Sequence, residues 1–119
     1  MPVILECPTT KEEVGAMALV DSGAGGNFID ATFARLMELK TTLLDKPVKV
    51  YNINGSQNKI GTISEKVVVT LKVRGRKTRM DLLVTGLGQK KVILGYPWLE
   101  DWISIGEQEN FDGDMNTQN

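Results

Sequence analysis

Few side chains in this 119-residue chain can run hydrolytic chemistry. It has no histidine and a single cysteine, Cys7. Ser-His-Asp and Cys-His nucleophiles, HExxH zinc sites and two-Cys-two-His fingers are thereby excluded, and a soft metal site is nearly so. Carboxylates and water remain. One acid stands in a setting suited to them: Ala18-Leu19-Val20-Asp21-Ser22-Gly23-Ala24. An apolar run delivers Asp21 to the tip of a strand, where a carboxylate is costly unless hydrogen bonds hold it. Ser22 and the small residues after it let backbone N–H groups approach closely enough to supply those bonds.

Two carboxylates sharing one proton hydrolyse a peptide bond without metal or histidine, because like charges about 3 Å apart cannot both ionise. This chain has one such segment, so the chemistry requires a second copy related by a two-fold axis through the site. Ser22 Oγ then reaches across the axis, Gly23 lets its backbone donate to the carboxylate, and Ala24 leaves the site open. The same tripeptide also makes an ordinary turn, since Asp, Ser and Gly dominate turns. On local residues alone both readings stand.

The elements that must position Asp21 are short and extended. Twelve glycines and clustered β-branched residues favour strands with tight turns. The pattern predicts strands at Val3–Glu6, Gly15–Val20, Asn27–Ile29, Val48–Ile53, Lys59–Val73, Thr78–Val84 and Lys91–Leu94, with turns at Asn54-Gly55 and Arg74-Gly75. Asp30 is a candidate N-cap for a helix over Ala31–Leu39, with Phe33, Leu36 and Met37 on its apolar face. A second short helix follows Pro97, carrying Trp98 and Leu99 as core packing. Cys7 reads as a small buried hydrophobe.

Length predicts one domain, residues 1–105, followed by an acidic, disordered tail, 106–119. No apolar run approaches the ~18 residues of a membrane span, and the first residues are too short and acidic for a signal peptide. Charge is uneven. Residues 31–91 hold thirteen of the fourteen Lys and Arg against four acids, so the middle is basic and both ends are acidic. The cations alternate with apolar residues, as on the wet face of strands. The dense run Arg74-Gly75-Arg76-Lys77-Thr78-Arg79 reads as a hairpin tip bearing charges that block edge pairing. With few aromatics to stack bases, nucleic acid is not the expected partner.

Three segments taken together resemble the retropepsin-type aspartic proteases of gypsy-type LTR retrotransposon polyproteins. They are Ala18-Leu19-Val20-Asp21-Ser22-Gly23-Ala24, then Gly26-Asn27-Phe28-Ile29-Asp30, then Lys91-Val92-Ile93-Leu94-Gly95-Tyr96-Pro97-Trp98-Leu99, and the resemblance spans residues 12–102. It implies an all-β fold: a small closed β-barrel with a flap hairpin and one or two short helices. It implies catalysis by Asp21 with Ser22 and Gly23, and substrate contact at Ala24 and Gly25. A flap around Asn54, Gly55 and Ser56 would also touch substrate. Ile93, Leu94 and Gly95 would form a structural strand crossing behind the Asp21 loop.

The implied protein is a homodimer that binds an extended polyprotein peptide as an added strand. It uses neither metal nor cofactor and has no membrane partner. Its implied location is intracellular and cytoplasmic, including the interior of virus-like particles. The alternative is a non-catalytic or domesticated domain that binds extended peptides or partner proteins. Two departures stand out. Gly25 replaces the Ser or Ala common in the family. Glu100-Asp101-Trp102-Ile103-Ser104-Ile105 replaces a segment resembling Asn-Pro-x-Ile-x-Trp.

Overall fold

Period-two burial builds the first hairpin. In the computed structural model, which describes residues 1–51 and 60–100, β1 (Pro2–Glu6) turns Val3 and Leu5 inward and Pro2 and Ile4 outward. Strand β2 (Glu13–Val20) returns antiparallel to it, with Val3 opposite Ala16 and Leu5 opposite Val14. Cys7 lies in the connection between them. It is half-buried, with Sγ 3.4 Å from Thr9 Oγ1, and is not the buried hydrophobe expected. The hydroxyl of Thr10, then that of Thr9, together with the backbone N–H groups of both, lower its pKa to about 6.

Strands β3 (Phe28–Asp30), β4 (Thr42–Tyr51), β5 (Ile60–Val73), β6 (Arg76–Thr85) and β7 (Val92–Leu94) complete the sheet, in the order β1-β2-β7-β3-β6-β5-β4. A further pairing of β1 with β5, Leu5 opposite Leu71, closes six of the strands into a barrel and leaves β4 outside, attached to β5. The length of β5 follows from this arrangement. One flank pairs β6 from Lys66 to Val73. The other pairs β4 from Ile60 to Lys66 and then β1 from Thr70 to Lys72. Arg74 and Gly75, both at positive φ, form the two-residue turn to β6 that the sequence predicts.

β4 begins at Thr42, six residues before the expected Val48. The register against β5 shifts between Leu43 and Val48, and Pro47 sits inside that irregularity. A proline without an N–H is tolerated there because β4 is an edge strand.

The helix α1 (Ala31–Leu36) is shorter than expected. Asp30 caps it, Oδ2 accepting from Phe33 N–H at 3.0 Å. It ends when Glu38 takes φ of 57°, its N–H donating to the Arg35 carbonyl while Leu39 N–H donates to that of Ala34. That is a Schellman closure with Glu where glycine is usual. With fewer than two turns, only Phe33 and Ala34 reach the core. Leu36 and Met37, expected on the apolar face, are 69% and 42% exposed. Leu39 packs against the core from beyond the helix.

Two apolar clusters result. The larger fills the barrel with Val3, Leu5, Ala18, Ile29, Val67, Val69, Leu71, Leu82, Val92, Leu94 and Trp98 among others. The smaller comprises Phe28, Ile63, Leu87 and Ile93, with Ala24, Leu44 and Leu83 against it. Strand β7 is buried on both faces: Val92 and Leu94 enter one cluster and Ile93 the other. This accounts for its uninterrupted apolar sequence. Residues 96–100 are helical, with Trp98 buried, Leu99 half-buried and Tyr96 exposed.

Candidate functional site

Topology shapes the Asp21 loop. β2 and β3 are consecutive in sequence but not adjacent in the sheet, because β7 lies between them, parallel to β2 and antiparallel to β3. Residues 21–27 must therefore arch over the end of β7. The β2–β7 ladder continues one step into the arch, where Asp21 N–H donates to the Leu94 carbonyl at 2.9 Å. Ala24 N–H donates to the Asp21 carbonyl at 3.0 Å and tightens the turn. Tyr96 N–H donates to the Ala24 carbonyl at 2.9 Å, tying the arch to the helical segment beyond β7.

The carboxylate itself is held as the sequence predicts. Gly23 N–H donates to Asp21 Oδ1 at 2.9 Å. A Cβ at Gly23 would lie 3.3 Å from that oxygen, so glycine keeps the approach open. Asp21, Ser22 and Gly23 are solvent-exposed, while Ala24 is half-buried against the smaller apolar cluster. A Cβ at Gly25 would meet nothing within 4 Å, so the Ser or Ala of the family fits there without displacement. Ile93 and Leu94 are buried beneath the arch. Gly95 has no room for a side chain, since a Cβ would lie 2.2 Å from the Gly26 carbonyl oxygen and 2.5 Å from that of Ala24.

Asn54, Gly55 and Ser56 lie outside the described residues. The pairing of Tyr51 with Ile60 brackets them between β4 and β5. Among the described residues no group of three or more His, Cys, Asp or Glu could hold a metal ion.

Two contacts were not visible in the sequence. Asn27 Oδ1 accepts from Gly95 N–H at 2.9 Å, and Asp30 uses its second oxygen to accept from Leu87 N–H at 2.9 Å. Both partners are more than fifty residues away, so no local pattern announces them. Asn27 and Asp30 were nonetheless within the motif that carried the resemblance.

An Asp-Ser-Gly arch threaded by the end of a strand, on a small closed barrel, defines a retropepsin-like protease domain. The EIAV protease, solved with the inhibitor HBY-793, shares the fold, with a TM-score of 0.57, 16% identity, and 86% of this chain and 85% of that one covered. The retroviral protease-like domain of Ddi1 from Leishmania major aligns over 85% of this chain and 73% of its own, with 17% identity and a TM-score of 0.49. No curated protein matches the sequence. A profile of the PEG10/RTL1 protease domain matches residues 17–104. The chain belongs to that family, a retropepsin-like group from gypsy-type retrotransposon-derived genes.

Proposed function

We propose that this domain is an aspartic endopeptidase that works as a homodimer, each protomer contributing one Asp21. The observation that carries the reading is the exposed Asp21 carboxylate at the start of the arch, with Oδ1 held by Gly23 N–H and the loop backbone held by β7. A lone exposed carboxylate has no partner to share a proton with. Two of them brought together by a two-fold axis have one protonated and one ionised member.

The ionised Asp21 takes a proton from water as the water oxygen attacks the scissile carbonyl carbon. The protonated Asp21 donates to the carbonyl oxygen. Collapse of the tetrahedral diol breaks the C–N bond: the Asp21 that took the water proton passes it to the leaving nitrogen, and a diol hydroxyl returns its proton to the other Asp21 as the new carboxyl forms. Gly23 N–H fixes the orientation of the carboxylate throughout. The substrate is an extended segment of a retrotransposon-type polyprotein, laid beside Ala24 and Gly25 as an added strand.

Sedimentation equilibrium over a wide concentration range, with and without a statine-type inhibitor, tests the assembly. A dimer that tightens with the inhibitor is expected, because the inhibitor mimics the tetrahedral state between two carboxylates. Asp21→Asn should abolish peptide cleavage while leaving the thermal melt of the domain unchanged. A monomer indifferent to inhibitor, or cleavage that survives Asp21→Asn in a clean preparation, would overturn the proposal.

A further inference from the structure

The arch over β7 contains one side chain whose position the proposed chemistry does not use but depends on. β7 ends at Leu94, so Gly95 N–H has no strand to pair with, and Gly95 also precedes a helical segment whose first N–H groups lack helical acceptors. Gly95 is buried, and a buried backbone N–H left unpaired is costly. The Asn27 side chain takes the place of the missing strand, with Oδ1 2.9 Å from that N–H. Its backbone is anchored independently, because its carbonyl accepts from Leu83 N–H at 2.9 Å on β6. Asn27 therefore joins β6, the start of β3 and the exit of β7 at one point.

That point lies one residue from Leu94, whose carbonyl holds the Asp21 N–H, and one residue from Tyr96, whose N–H holds the Ala24 carbonyl. The start and the middle of the arch hang on the short segment 94–96, and Asn27, at the far end of the arch, pins the centre of that segment. We propose that Asn27 is a positioning residue: by accepting the Gly95 N–H it sets where the Asp21 carboxylate stands. The inference rests on the peptidase reading above, in which two carboxylates must meet at about 3 Å across an axis. A shift of half an ångström in each arch would be felt doubly there, and misplacement of about 1 Å can cost about a hundredfold in rate.

The test uses the full 119-residue chain and an internally quenched extended peptide chosen from a library on the wild-type protein. Asn27→Ala removes the acceptor, and Asn27→Asp keeps one at the same place. In Asn27→Ala, kcat should fall at least tenfold with KM nearly unchanged, because the groove is intact and the dyad is displaced. Asn27→Asp should recover most of kcat. Its pH–rate profile should move upward, since a third negative charge near the dyad raises the apparent pKa values of the pair. Loss of a purely structural bond would lower stability and leave the profile and the balance between kcat and KM in place.

Asn27→Ala with wild-type kcat, or Asn27→Asp as impaired as Asn27→Ala with an unmoved profile, would overturn the assignment and leave the peptidase reading standing. If the wild-type protein cleaves nothing, that reading falls separately, and amide hydrogen exchange decides the tie. Faster exchange at Asp21 and Tyr96 in Asn27→Ala, with the β5–β6 pairs unchanged, supports it. Unchanged exchange at both overturns it.

Discussion

Two glycines, one on the arch and one beneath it, have opposite consequences. At Gly95 an added methyl meets backbone carbonyl oxygens at 2.2 and 2.5 Å, which no side-chain rotation relieves. Gly95→Ala should cost on the order of 3 kcal/mol by the overpacking rule, read as a lowered midpoint in urea. Gly25→Ala, into open space, should stay within about 0.5 kcal/mol of the parent. Cys7 gives a third check. With its pKa lowered to about 6 by Thr10 and Thr9, its alkylation by iodoacetamide should follow a titration midpoint near pH 6. Thr10→Ala should move that midpoint toward the ordinary thiol value. At this scale the sequence was legible where chemistry is local: the small residue Gly23 brings its N–H to the Asp21 carboxylate. It was silent on Asn27 with Gly95 and on Asp30 with Leu87, because those hydrogen bonds join residues brought together only by the sheet. Cys7 misled because its hydroxyl neighbours determine its state more than its own apolarity does.

The β7 run and the Arg74-Gly75 turn were legible as elements because burial on two faces and positive φ leave plain marks in composition. The first half of β4 was hidden by Pro47, which argues against a strand everywhere except an edge or a bulge. The end of α1 was hidden for the converse reason: no glycine marks it. Glu38 occupies the left-handed region at φ 57°, a conformation that disfavours residues with a Cβ. Glu38→Gly should therefore raise stability by about 0.5–1 kcal/mol, the relief of strain outweighing the greater chain entropy of glycine. Thermal denaturation in parallel with Glu38→Ala separates the two effects, since alanine retains the Cβ and should bring no gain.

For the molecule as a whole the decisive pairing is β1 with β5, which turns a sheet into a barrel. Lys72 on β5 reaches Glu6 on β1 and Glu13 on β2 across that seam, and Glu13 first, then Glu6, raises its pKa above the ordinary 10.5. A lysine raised in the folded state contributes stability that is fully present below 10.5 and is lost as pH climbs through the higher folded value. Melts followed from pH 8 to 11.5 should show an alkaline decline that Lys72→Met lacks, and added salt should weaken the contribution because the Lys72 side chain is partly open to solvent. The same seam orders events during synthesis. Its partners lie about 66 residues apart in the chain, and at the usual elongation rates of roughly 5–20 residues per second they leave the ribosome some 3–13 s apart. For that interval the β1–β2 hairpin waits with its β5-facing edge unpaired. The nascent chain thus passes through a window of vulnerability to aggregation that the finished barrel no longer has.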